Sequence, residues 1–132
     1  MRNFVNRRYA GRAAPRHLWL GVSVEDGRRR ARIEHLKQTQ AAIRFLSVEP
    51  LIGPVGEVDL NGIHWVIVGG ESGPDFRPMR GEWAVELRDR CVAAGIPFFF
   101  KQWGGRTPKS GGRLLEDRTW DQMPPVGSLA GR

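Results

Sequence analysis

Residues 64–72, HWVIVGGES, decide the fold of this chain. An apolar run of strand length ends there in two glycines, a carboxylate and a hydroxyl, the pattern of a buried strand that delivers polar groups at its C-terminal end. Three other stretches share the design. Residues 18–25 (LWLGVSVE), 43–50 (IRFLSVEP) and 96–102 (IPFFFKQ) are each apolar first and polar last. Between the first two, residues 28–42 contain no Gly or Pro and set Ile33 and Leu36 three apart, which suits a helix of modest amphipathicity. Before the fourth, residues 82–94 put Trp83, Leu87, Cys91 and Ala94 on one helical stripe, with Glu82 at the N-terminal end and Gly95 in place for the C-cap. Strands alternating with helices in this order predict β-α-β crossovers, and hence an α/β fold built on a parallel sheet.

The glycines at 69 and 70 permit positive φ or close approach of the backbone to something bound. The connector at residues 51–62 is broken by Gly53-Pro54, Gly56 and Asn61-Gly62, and we expect a simple turn at Asn61-Gly62. Residues 1–17 scatter Phe4, Val5 and Tyr9 among Arg, Gly and Pro15 without period, so a flexible basic arm is expected there. The domain proper is placed at 18–105. Residues 106–132, rich in Gly, Pro, Arg and Lys, should form an irregular tail, anchored by Leu114, Leu115 and Trp120.

At 132 residues and 40% hydrophobic content, the chain supports one core. Even its longest apolar runs are broken by Arg44, Glu49 or Lys101, short of the roughly 18 to 20 residues that cross a bilayer, and no membrane association is expected. Cys91 is the only cysteine, which excludes an internal disulfide and a cluster held by several cysteines of one chain; a cytoplasmic location is the default. The charge of +7 is uneven, since residues 1–44 carry 11 Lys and Arg against 3 Asp and Glu, and residues 45–132 carry 10 against 11. A basic segment of that kind can attract nucleic acid, although no interleaved aromatic platform accompanies it.

In a parallel sheet, ligands bind at the C-terminal ends of the strands. Ser23 and Glu25 close the first strand, Ser47 and Glu49 the second, Glu71 and Ser72 the third, and Lys101 and Gln102 the fourth. Glu49, Glu71 and Lys101 are the candidate catalytic groups. Ser23, Glu25, Gly69, Gly70, Ser72, Gln102 and Trp103 are the candidate ligand-binding residues, Trp103 as a cavity wall, and no metal ligand is assigned. Three carboxylates and an amine on one cavity suit acid–base work or the holding of a small ligand or cation. There is no phosphate-cradling or nucleophile-elbow motif. His17, His35 and His64 are read as structural or exposed, and Trp65, Trp83 and the run 98–100 as core.

Four blocks together, LWLGVSVED, FLSVEPLIGPV, IHWVIVGGESGPDFRPM and CVAAGIPFFFKQWGG, resemble the C-terminal half of the phage gene-product 37/gene-product 68 family, in the same order and over about residues 18–105. The resemblance implies a partial, half β/α barrel of about four strands. Longer members begin with a three-cysteine motif of the kind found in radical S-adenosylmethionine enzymes, which this chain lacks. It further implies a chain not catalytically competent alone, either a truncated gene product or a half that pairs with a separate cysteine-bearing N-terminal half or with another copy of itself. The cofactor is left unknown, with S-adenosylmethionine held near Gly69 to Glu71 by analogy only. Two alternatives stand beside it: an enzyme working through the carboxylate edge with a metal or small ligand, and a nucleic-acid interaction module using residues 1–44.

Overall fold

The structure, a computed structural model, describes residues 1–12 and 14–125. Ala13 of the expected arm and residues 126–132 of the expected tail lie outside the described residues. Four strands, β1 (Trp19–Ser23), β2 (Ile43–Val48), β3 (Trp65–Gly69) and β4 (Phe98–Gln102), form one sheet in the order β1-β2-β3-β4. Every neighbouring pair is parallel. The sheet does not close into a barrel.

Two of the three crossovers use helices. A short 3₁₀ turn, Gly27–Arg29, leads into α2 (Ala31–Lys37), and Asp26 caps that turn by accepting from the Arg28 backbone N–H. α2 ends well before residue 42, because Thr39 leaves the helix and donates its hydroxyl to the carbonyl of His35. α3 (Gly81–Ala94) stops at Gly95, whose φ of 71° fits a left-handed cap and lets its N–H return to the last turn. The crossover from β2 to β3 has no helix. In its place Leu51, Val55, Leu60 and Ile63 turn into the core as a helix face would. Asn61-Gly62 makes a turn inside this connector, with the Asn61 N–H on the Asp59 side chain.

All three crossovers lie on one face of the sheet. Strand alternation sends Leu46 and Val48, Val66 and Val68, and Phe98 and Phe100 to that face, where they meet Ile33 and Leu36 of α2 and Leu87 and Cys91 of α3. Burial of the last group pushes the Cys91 thiol up to about 12, which makes it an inert core residue.

Among the described residues the other face of the sheet has no helix. The sequence reads residues 18–25 as a buried strand, but Trp19 to Val22 of β1 are only partly buried and Ser23 is exposed, because no crossover reaches that side. Trp19, Gly21, Phe45, Trp65, Ile67 and Phe99 share the open face by register. The Phe45 ring lies across Gly21, where a Cβ would come within 2.3 Å of it.

The basic N-terminal stretch is not irregular throughout. Arg2–Arg8 forms a helix, α1, with Val5 buried. Asn6 ties it to the end of α2, donating to the carbonyl of Gln38 and accepting from the N–H of Gln40. A single apolar residue gives no period to read, so the helix was not visible in the pattern. The tail is also engaged: Leu115 and Trp120 are buried, whereas Leu114 is exposed. Residues 120–122 run antiparallel along the outer edge of β4, through Phe100 N–H to the Trp120 carbonyl, Gln122 N–H to the Phe98 carbonyl and a bridge between Phe99 and Asp121.

Candidate functional site

The strand ends do converge on one edge, but their charged groups sort into separate pairs. Glu49 and Lys101 are the two that meet, with Nζ 3.4 Å from Oε2, and the Ser47 hydroxyl donates to Glu49 Oε1 at 3.3 Å. Gly69 lies beneath them. A Cβ at that position would sit 3.0 Å from Glu49 Oε2 and 3.5 Å from the Lys101 Cβ, so the bare backbone is what lets the pair lie across β3.

Glu71 does not join them. The loop after β3 brings back Arg77, whose backbone N–H and Nε donate to Glu71 Oε1 at 2.8 and 3.0 Å and whose Nη2 reaches Oε2 at 2.6 Å. These bonds hold the Glu71 carboxyl down at about 2. Arg77 was not singled out from the sequence; the signal was an arginine in the glycine- and proline-rich loop just beyond a strand-end carboxylate.

Glu25 is likewise occupied by Arg32, at 3.3 Å, and the same guanidinium donates to the carbonyl of Ser23 at 2.8 Å. The expected meeting of Glu25, Glu49 and Glu71 around one cavity is therefore not formed, because Arg32 and Arg77 neutralise two of the three locally. Among the described residues no group of three or more His, Cys, Asp or Glu side chains is arranged to hold a metal.

Gly70 makes its close approach to the chain itself. Its N–H bonds the Gln102 carbonyl at 2.9 Å, and a Cβ there would fall 1.8 Å from the Trp103 carbonyl oxygen. Ser72 accepts from Gln102 Nε2 at 3.2 Å and pairs in register with Gly105, so these residues lock the ends of β3 and β4 together. Trp103, expected as a cavity wall, turns to the helix-covered side. Its ring lies 5.4 Å from that of Phe100, and its Nε1 donates to the Leu114 carbonyl.

The concavity that does carry Glu49 and Lys101 opens on the uncovered sheet face. It has a volume of about 550 Å³, and Trp65, Ile67 and Phe99 form its floor, with Arg113, Asp121 and Met123 from the tail on the far side. Trp65, expected in the core, is packed instead among Trp19, Phe45 and Phe99 at centroid distances of 6.0 to 6.3 Å, and its Nε1 donates to the Gln122 carbonyl. Arg113 lies over the Phe99 ring, pairs with Asp121 and donates through Nε to the Lys101 carbonyl. The signal for this site was the alternation in β1 to β4, which puts one aromatic per strand on the face opposite the core.

The histidines take no part. His64 accepts the Arg44 N–H at Nδ1, 2.9 Å, and burial together with the Arg44 charge lowers its pKa. No helix among the described residues is long and apolar enough to cross a membrane.

Comparison with curated proteins and with solved structures gives no match to this chain. One family profile, described as a protein of unknown function (DUF5131), matches residues 1–124, which takes in α1, the whole sheet and the tail segment that pairs with β4. The chain belongs to the DUF5131 family.

Proposed function

We propose that these four strands are one half of a β/α barrel related to the radical S-adenosylmethionine enzymes and to the phage gene-product 37/gene-product 68 proteins, and that the open aromatic face is the interior of that barrel. The observation that carries this reading is the one-sided sheet. Its strands are all parallel and its three crossovers share one face, while Trp19, Phe45, Trp65 and Phe99 line the other. A parallel sheet normally has both faces covered. In a barrel the second face is covered by the opposite strands.

On this reading the chain supplies the Glu49–Lys101 pair and the aromatic floor, and cluster chemistry belongs to a cysteine-bearing half or assembly that this chain joins. Cys91 is buried against the sheet and offers no ligand. Anaerobic reconstitution with iron and sulfide tests it: the isolated 132-residue chain should return colourless from gel filtration. A brown protein with a stoichiometric cluster would refute the reading.

Nucleic-acid binding is a second reading, favoured by α1, where Arg7 and Arg8 are exposed on a helix without an acidic residue. It predicts binding to DNA or RNA that weakens steeply with salt and disappears when residues 1–16 are removed. Binding that survives the deletion would exclude it.

A further inference from the structure

We infer that the concavity on the open sheet face is a binding site for an uncharged planar heterocycle of the nucleobase or nucleoside class. The floor comes first. Trp65 is fixed before any ligand arrives, because the rings of Trp19, Phe45 and Phe99 surround it and its only donor, Nε1, is already satisfied by the Gln122 carbonyl. An immobilised aromatic floor favours flat ligands, since stacking gains contact area without ordering new side chains. Ile67 extends the same apolar surface between Trp65 and Glu49.

The rim then limits the charge of the ligand. Among the described residues four ionisable side chains line the cavity, and they form two opposite pairs, Glu49 with Lys101 and Arg113 with Asp121. The lining is therefore neutral as a whole. The balanced lining offers a phosphate or a carboxylate no net positive charge, so a phosphorylated ligand gains little over the neutral ring. A heterocycle edge that carries both donors and acceptors fits better. Glu49 offers an acceptor that receives a bond from Ser47, and Lys101, held only at 3.4 Å from Glu49 and about half exposed, retains donor capacity toward the cavity.

The volume agrees. About 550 Å³ is within the usual range for small-molecule sites of about 300 to 1,000 Å³. The site is also formed within one chain: among the described residues its lining comes from β3, β4, Glu49 just beyond β2, and Arg113, Asp121 and Met123 of the tail. The inference goes beyond the half-barrel reading and does not need the partner half.

Adenosine is the probe, titrated into the full chain and followed by Trp fluorescence and by NMR chemical shifts of the Trp65 indole N–H. Adenosine should bind with saturation and shift that resonance. Adenosine monophosphate should bind no more tightly than adenosine, and ribose 5-phosphate should not bind. Trp65→Leu and Phe99→Leu should each weaken adenosine at least tenfold. Because a floor variant can disturb the fold, Lys101→Met and Glu49→Gln serve as rim variants whose circular dichroism and melting can be compared with the parent, and each should weaken adenosine severalfold. Absence of saturable adenosine binding, or binding unchanged in well-folded rim variants, would overturn the assignment. So would a tenfold preference for the monophosphate, or tighter, salt-sensitive binding of a short oligodeoxyadenylate, which would assign the face to a phosphate-bearing strand instead.

Discussion

Arg77 holds both oxygens of Glu71, and this contact sets how the strand edge responds to acid. The carboxyl is held at about 2, below its ordinary value of 4.5, first by the Arg77 side chain and then by its backbone N–H. A depressed acid stabilises the fold above its unfolded pKa, so this contribution is whole above pH 4.5 and is lost as pH falls from there to about 2. A carboxyl-carbon NMR titration should find the Glu71 midpoint near 2, and Arg77→Ala should return it toward 4.5. His64 gives a second pH dependence of different origin. Its pKa is lowered by burial and then by Arg44, and its Nδ1 must stay unprotonated to accept the Arg44 N–H. The neutral form is therefore the folded form: stability is complete above pH 6.5, the ordinary value, and declines as pH drops through the lowered folded value. Urea melts between pH 7 and 5 should show this decline in the parent and a flatter profile in His64→Gln. Equal slopes in the two proteins would remove His64 as the cause.

At the scale of elements, the joint between the ends of β3 and β4 is the most constrained part of the chain. Gly70 faces the Trp103 carbonyl at a distance no Cβ can occupy, and Gly104, at φ 78°, faces the Glu71 carbonyl in the same way. Backbone on both sides leaves no flexible side chain to yield. Gly70→Ala should therefore cost about 1 to 3 kcal/mol or more, as overpacked sites do, and should lower the urea midpoint without removing the helical signal of α3. The four strands, α3 and its Gly95 cap were legible in the sequence because each rests on local period and cap chemistry. The pairing of charges was not. Strand-end position showed that Glu25, Glu49, Glu71 and Lys101 share an edge, but whether they meet depends on Arg32 and Arg77, which arrive from α2 and from a loop that has no period. For the same reason α1 escaped notice, since it is held by Asn6 on the backbone of residues 38 and 40 and shows only Val5 to the interior.

For the whole molecule, the core is one-sided and correspondingly dense. Phe98 and Phe100 are fully buried between the sheet and α3, and Phe98 also meets Trp120 edge-on at 6.0 Å. Phe100→Ala should destabilise the chain by about 3 to 5 kcal/mol, read as a lower denaturant midpoint with a two-state transition. The neighbouring Phe99 belongs to the other face, and its replacement should cost less stability than that of Phe100. Three identical residues in a row thus serve two surfaces, and only strand alternation separates them. The sequence could be read for that parity, but not for which face the crossovers would choose. The tail settles one more matter. Residues 120–122 run against the outer edge of β4 in the direction opposite to every strand in the sheet, while β1 at the other edge pairs only with β2 among the described residues. A parallel newcomer finds the β4 side already taken by a strand of the wrong sense. Among the described residues only the margin beside β1 is open to a parallel strand, so closure of the proposed barrel by a second half would require residues 120–122 to give up β4.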